Sequence, residues 1–162
     1  ISGVFREISE FPLDTAWGDF NGNLILDAGD VDFLIRHLGQ QHDAFFDLNL
    51  DGAIDSDDVS IWIHDVRVTY FGDANLDGEF NSADLINVFQ AGQYEDAFSA
   101  NSTWSTGDWN GDGEFTTSDF VVAFQDGGYE KGPRHAVSAV PEPSGLMTLL
   151  IGTMGFLVRT HR

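Results

Sequence analysis

Four times in 162 residues the chain writes one twelve-residue pattern. "DFNGNLILDAGD" begins at 19, "DLNLDGAIDSDD" at 47, "DANLDGEFNSAD" at 73 and "DWNGDGEFTTSD" at 108. Each has Asp first, Asn third, Asp or Asn fifth, an apolar eighth residue and Asp twelfth. Three have Gly sixth; the first has Leu24 there. Carboxylates crowded at this density repel one another unless a cation joins them. Fourfold repetition removes the reading of an accidental polar turn, and a repeat of this kind governs the whole architecture.

The spacing selects the cation. Ca²⁺ takes six to eight oxygens, and a twelve-residue loop supplies them from positions 1, 3, 5, 7, 9 and 12, the seventh through its backbone carbonyl. The candidate ligands of the first loop are Asp19, Asn21, Asn23, Ile25, Asp27 and Asp30, and of the second Asp47, Asn49, Asp51, Ala53, Asp55 and Asp58. The third offers Asp73, Asn75, Asp77, Glu79, Asn81 and Asp84, and the fourth Asp108, Asn110, Asp112, Glu114, Thr116 and Asp119. Ninth-position groups act through water and the twelfth closes the site. Up to four Ca²⁺ are expected. The first site is expected to be weakest, because Asn23 replaces an Asp and Leu24 must take a turn that suits Gly.

Composition narrows the partners. The formal net charge is −20, with seven Lys and Arg against 27 Asp and Glu. That balance excludes nucleic acid, which needs a basic patch. The 42% hydrophobic and 13% aromatic content argues for packed cores rather than disorder. Cysteine is absent, so neither disulfides nor thiolate metal sites can staple the fold. The first residue is Ile and no N-terminal signal peptide is visible, so the chain reads as a fragment or a processed product.

Each loop precedes a short helical pattern. Val31, Leu34, Ile35 and Leu38 follow the first; Val59, Trp62, Ile63 and Val66 the second; Leu85, Val88 and Phe89 the third; Phe120, Ala123 and Phe124 the fourth. Gly39, Gly92 and Gly127 offer stops. The segments before the loops lack helical periodicity, so the unit is loop then helix. The third and fourth units share "FQAGQYE" and "FQDGGYE", which pairs three with four and one with two. The expected architecture is all-α: residues 1–15 end an upstream region, 16–70 and 71–132 are two loop–helix pairs, and 133–162 are a linker and a C-terminal hydrophobic helix. Pairs this small have marginal cores, and Ca²⁺ is the expected staple.

These repeats resemble those of type I dockerins. The resemblance implies a non-catalytic, Ca²⁺-binding, all-α module that docks onto a cohesin-like protein or a cell-surface component. It implies partner contacts at Ser82, Ala83 and Gln90 and at the matching Thr117, Ser118 and Gln125. Phe89 and Phe124, beside the two Gln residues, are read as core.

The tail "VPEPSGLMTLLIGTMGFLVRTHR" (140–162) resembles a PEP-CTERM sorting sequence: Val140–Pro141–Glu142–Pro143, an apolar run from Gly145 to Val158, then Arg159 and Arg162. It implies export, membrane association through the tail, and processing by an exosortase. The apolar run is shorter than the roughly 18–20 residues of a spanning helix, and the alternative is a buried C-terminal helix. Repeats of this kind with such a tail are similar to the C-terminal regions of secreted planctomycete proteins.

No catalytic motif appears. His37, His42, His64, His135 and His161 are scattered and read as surface residues, and the sequon Asn101–Ser102–Thr103 reads as polar linker. An alternative makes the region the non-catalytic end of a larger secreted hydrolase, one acting on polysaccharide. A calmodulin-type sensor is disfavoured: the twelfth residue is Asp in every loop, and the two Met lie in the tail.

Overall fold

The computed structural model describes residues 17–40 and 43–136. Four helices appear among them: α1 (Ala28–Ile35), α2 (Ser56–Ile61), α3 (Ser82–Ala91) and α4 (Thr117–Asp126). α2 runs on into a π-helical turn, Trp62–Val66, and a 3₁₀ turn, Trp104–Thr106, precedes the fourth loop. The described residues contain no β-strand, only two isolated parallel bridges, Phe80 with Tyr129 and Tyr94 with Phe115. This part of the chain is helical, as expected. The expected C-terminal hydrophobic helix lies outside the described residues, and no described helix is long and apolar enough to cross a membrane.

Every helix starts the same way. Asp27, Asp55, Asn81 and Thr116, the ninth loop residues, are N-caps whose side chains accept the N–H two residues on. Asp30, Asp58, Asp84 and Asp119, the twelfth residues, accept in return from the N-cap amide, completing capping boxes. α3 and α4 end on Gly92 and Gly127 in the left-handed conformation.

The eighth residues of the second, third and fourth loops turn inward. Ile54, Phe80 and Phe115 are buried with Val31, Leu34, Trp62, Val88, Trp104 and Trp109 in one hydrophobic cluster drawn from all four units. Gly72 and Gly107, each one residue ahead of a loop, have φ of +98° and +117°, and an added Cβ would lie under 3 Å from the rings of Phe80 and Phe115. Only Gly satisfies both demands there.

The shared "FQxGxYE" segments form a reciprocal clasp. After α3 the chain passes Phe115, where Glu95 donates its amide to the Phe115 carbonyl at 2.8 Å. Glu95 Oε1 then accepts from the Thr117 hydroxyl at the start of α4. After α4, Glu130 donates to the Phe80 carbonyl at 2.8 Å and its Oε1 accepts from the Ser82 amide at the start of α3. Each helix exit thus holds the other helix entrance.

Several residues sit differently from the sequence expectation. Phe89 and Phe124 are about half exposed instead of core, because Val88 and Ala123 take the fully buried positions of α3 and α4. His64 is not a surface residue: it lies in the π-helical turn with Nε2 2.9 Å from Asp126 Oδ1. That contact is an ion-pair distance without hydrogen-bond alignment. His37 is half-buried and stacks on Phe46. The sequon is not a plain linker, since Ser102 is buried and its amide donates to Gly113 O. His42, His161 and residues 1–15 lie outside the described residues.

Candidate metal centres

All four loops are wired alike. In the third, Asp73 accepts the Asp77 amide at 3.1 Å on one carboxylate oxygen and the Gly78 amide at 2.8 Å on the other. Asn75 Oδ1 accepts the Asp77 amide and Asp77 Oδ1 the Glu79 amide. Asp84 accepts from Ala74 and Asn75 on one oxygen and from Asn81 on the other. The bonds recur in the fourth loop from Asp108 to Asp112 and Gly113, and from Asp119 to Trp109, Asn110 and Thr116. They recur in the second from Asp47 to Asp51 and Gly52 and from Asp58 to Leu48 and Asp55. The first has them from Asp19 to Asn23 and Leu24 and from Asp30 to Asn21 and Asp27.

The wiring requires two left-handed residues per loop. The sixth positions, Leu24, Gly52, Gly78 and Gly113, have φ of +66° to +98°, and so do the fourth, with Gly22, Leu50, Leu76 and Gly111 at +56° to +82°. The demand at position 4 was missed in the sequence, where Leu50 and Leu76 look unremarkable. It removes strain as the mark of the first loop: the first, second and third each place one Leu in a strained position, and the fourth none.

The first- and twelfth-position carboxylates of all four loops are buried, and no basic side chain of the described residues makes an ion pair with any of them. Burial raises the Asp73 and Asp84 carboxyls and neighbouring carboxylates add to the effect, opposed at Asp73 by the Thr69 hydroxyl and the Gly78 amide and at Asp84 by loop amides. Asp30 and Asp119 rise for the same reasons. Asp108 is pushed up to about 6 by burial, against the amides of Gly113 and Gly111 and with the charges of Asp119 and Asp112. Buried, uncompensated charge of one sign is costly.

Among the described residues no three His, Cys, Asp or Glu side chains are gathered as a ready metal cage. The candidate set is of another kind, mixing Asp with Asn and backbone carbonyls. Its carboxylates accept from loop amides, some oxygens from two donors, while an oxygen such as Asp84 Oδ2, which takes only the Asn81 amide, keeps a second lone pair. A donor set made only of oxygen fits Ca²⁺ and disfavours softer metals.

Ser82, Ala83, Gln90, Thr117, Ser118 and Gln125 are all exposed. Ile86 and Phe89 of α3 and Val121 and Phe124 of α4 are exposed apolar neighbours in sequence. Phe89 stacks on Phe120 at 5.7 Å, and Phe120 meets Phe124 at 6.3 Å, so the rings connect the two helices. Thr117 and Ser118 are engaged locally, with Tyr94 and Asn110 respectively.

Residues 17–67 match the family model of the dockerin type I domain. The match covers the first loop–helix pair and stops before the third loop. Type I dockerins bind Ca²⁺ and are non-catalytic modules that bind cohesin domains. No curated protein and no solved structure matches the chain.

Proposed function

We propose that residues 17–136 are a Ca²⁺-folded, non-catalytic docking region built from two dockerin-type pairs, of which the second repeats the wiring of the matched first. The carrying observation is the shared wiring: four loops hold buried carboxylates in one arrangement with no basic partner among the described residues. Asp at positions 1 and 12, Asn or Asp at 3 and 5 and the carbonyl at 7 would hold the ion, with position 9 acting through water. The bound ion supplies the positive charge the buried carboxylates lack. The chain's residues do the rest: amides orient the carboxylates and capping boxes tie them to the helices.

The partner in this reading is a cohesin-like protein or cell-surface component meeting the exposed Phe89–Phe124 surface, with Gln90 and Gln125 at its edge. The protein is exported, and its tail serves as a membrane-held sorting sequence for an exosortase. Capture of one defined partner by the Ca²⁺-loaded protein, lost in chelator and in Phe89→Asp/Phe124→Asp, tests the docking reading. Capture unaffected by both would refute it.

A further inference from the structure

Between α1, α2 and α4, at the seam of the two pairs, lies a cavity of about 290 Å³. Its walls are largely apolar, from Ile35, Leu38, Val59, Phe71, Trp109 and Val122, with His64 and Asp126 on one side. It has room for a few aliphatic side chains, not for a whole helix. Apolar concavities at the junction of two units are preferred binding places.

The last described residues lie close by. The Arg134 guanidinium sits 5.2 Å from the ring centre of Tyr70, next in sequence to the cavity residue Phe71. Its charge also reaches Asp126, another cavity residue. From Ala136, nine residues lead to Gly145, a reach of about 30 Å when extended. The run 145–158 then carries no charged side chain, and Leu146, Leu149 and Leu150 recur at i, i+3 and i+4. Beyond it, Arg159 and Arg162 end a chain of net charge −20, so the basic end suits the acidic body.

We infer that the chain's own C-terminal run, through Leu146, Leu149 and Leu150, seats in this cavity. The contact shields the run from water until a stronger apolar environment takes the tail. This goes beyond the docking reading and stands without it.

The absence of native Cys allows a clean test in the full chain with Ca²⁺. Gln125→Cys at the cavity rim is combined with Met147→Cys, and disulfide formation at high dilution is followed by mass and non-reducing gel. The comparison pair joins Met147→Cys to Ala97→Cys, at another exposed position. The expected result is an intramolecular disulfide forming severalfold faster at Gln125. Adding Leu149→Asp and Leu150→Asp, which leave the described body untouched, should erase the difference. Equal rates at the two positions, an advantage that survives the Asp substitutions, or disulfides only between two copies would each overturn the inference. Ca²⁺ binding and partner capture do not depend on this outcome, so it fails separately from the docking reading.

Discussion

Trp104 donates its indole N–H to the backbone carbonyl of Asp73 at 2.8 Å, and both residues are fully buried. The Trp104 amide donates to Asp32 of α1 at 2.8 Å, and its carbonyl accepts the Trp109 indole N–H at 3.1 Å. One residue, through its side chain and its backbone, therefore ties the first helix, the third loop and the fourth loop together. Trp104→Phe keeps most of the apolar volume but leaves the Asp73 carbonyl without its donor. An unsatisfied buried acceptor costs about 1–3 kcal/mol. The expected outcome is a lower denaturation midpoint, with one transition for both pairs in the parent, measured by urea titration followed by circular dichroism.

Removing Ca²⁺ should unfold helix. The helices run six to ten residues, below the roughly 12–15 that isolated helices need, and their first turns share residues with the loops. Far-UV circular dichroism with and without chelator checks this; equal helicity and equal melting temperature would count against a Ca²⁺-dependent fold.

Strain in the loops predicts which substitutions tighten binding. Leu24 and Leu50 are left-handed and largely exposed. The conformation costs a non-Gly residue about 1–2 kcal/mol, so Leu24→Gly and Leu50→Gly should tighten their sites by up to roughly tenfold. Gly78→Leu should weaken the third site through backbone strain alone, because an added Cβ at Gly78 meets nothing within 4 Å. Calorimetric titration of the full chain reads all three. The fourth loop, with Gly at both positions, should bind most tightly.

The Asp126 carboxyl contributes stability with a defined pH dependence. Burial opposes its charge, but the His64 contact, the Phe71 amide and Arg134 outweigh burial and lower its pKa from the usual 3.8. A depressed native pKa gives stability that is present above 3.8 and lost as pH falls through the lowered native value. Asp126→Asn should therefore cost roughly 1 kcal/mol at pH 6, with the gap to the parent narrowing as the pH falls below that value. Urea midpoints of both proteins across this range decide it.

The loops and helices were legible because their signals are local. Carboxylate spacing, the inward eighth residue and the glycine stops each lie within one repeat. The N-cap role of position 9 is equally local, visible as Asp, Asn or Thr three residues ahead of Asp, in the same residues that the metal-binding pattern uses. What escaped depends on distance in the chain. His64 meets Asp126 only because the pairs pack together, and no pattern within the π-helical turn announces it. Phe89 and Phe124 look like core from helical spacing, but the smaller Val88 and Ala123 take the fully buried positions. Leu50 and Leu76 hid a backbone requirement that no hydrophobicity pattern records.

The capping boxes bear on how the chain folds, as well as on what it holds. Starting a helix means fixing several residues for a single hydrogen bond, which makes the first turn the unfavourable step. Here that turn is organised from the loop side, with Asp27 and Asp30, Asp55 and Asp58, Asn81 and Asp84, or Thr116 and Asp119 already bonded to its amides. Nucleation is therefore assigned to four fixed points in the sequence. The loop side of each helix is thus the end held in place by side chains, and the later turns extend from it.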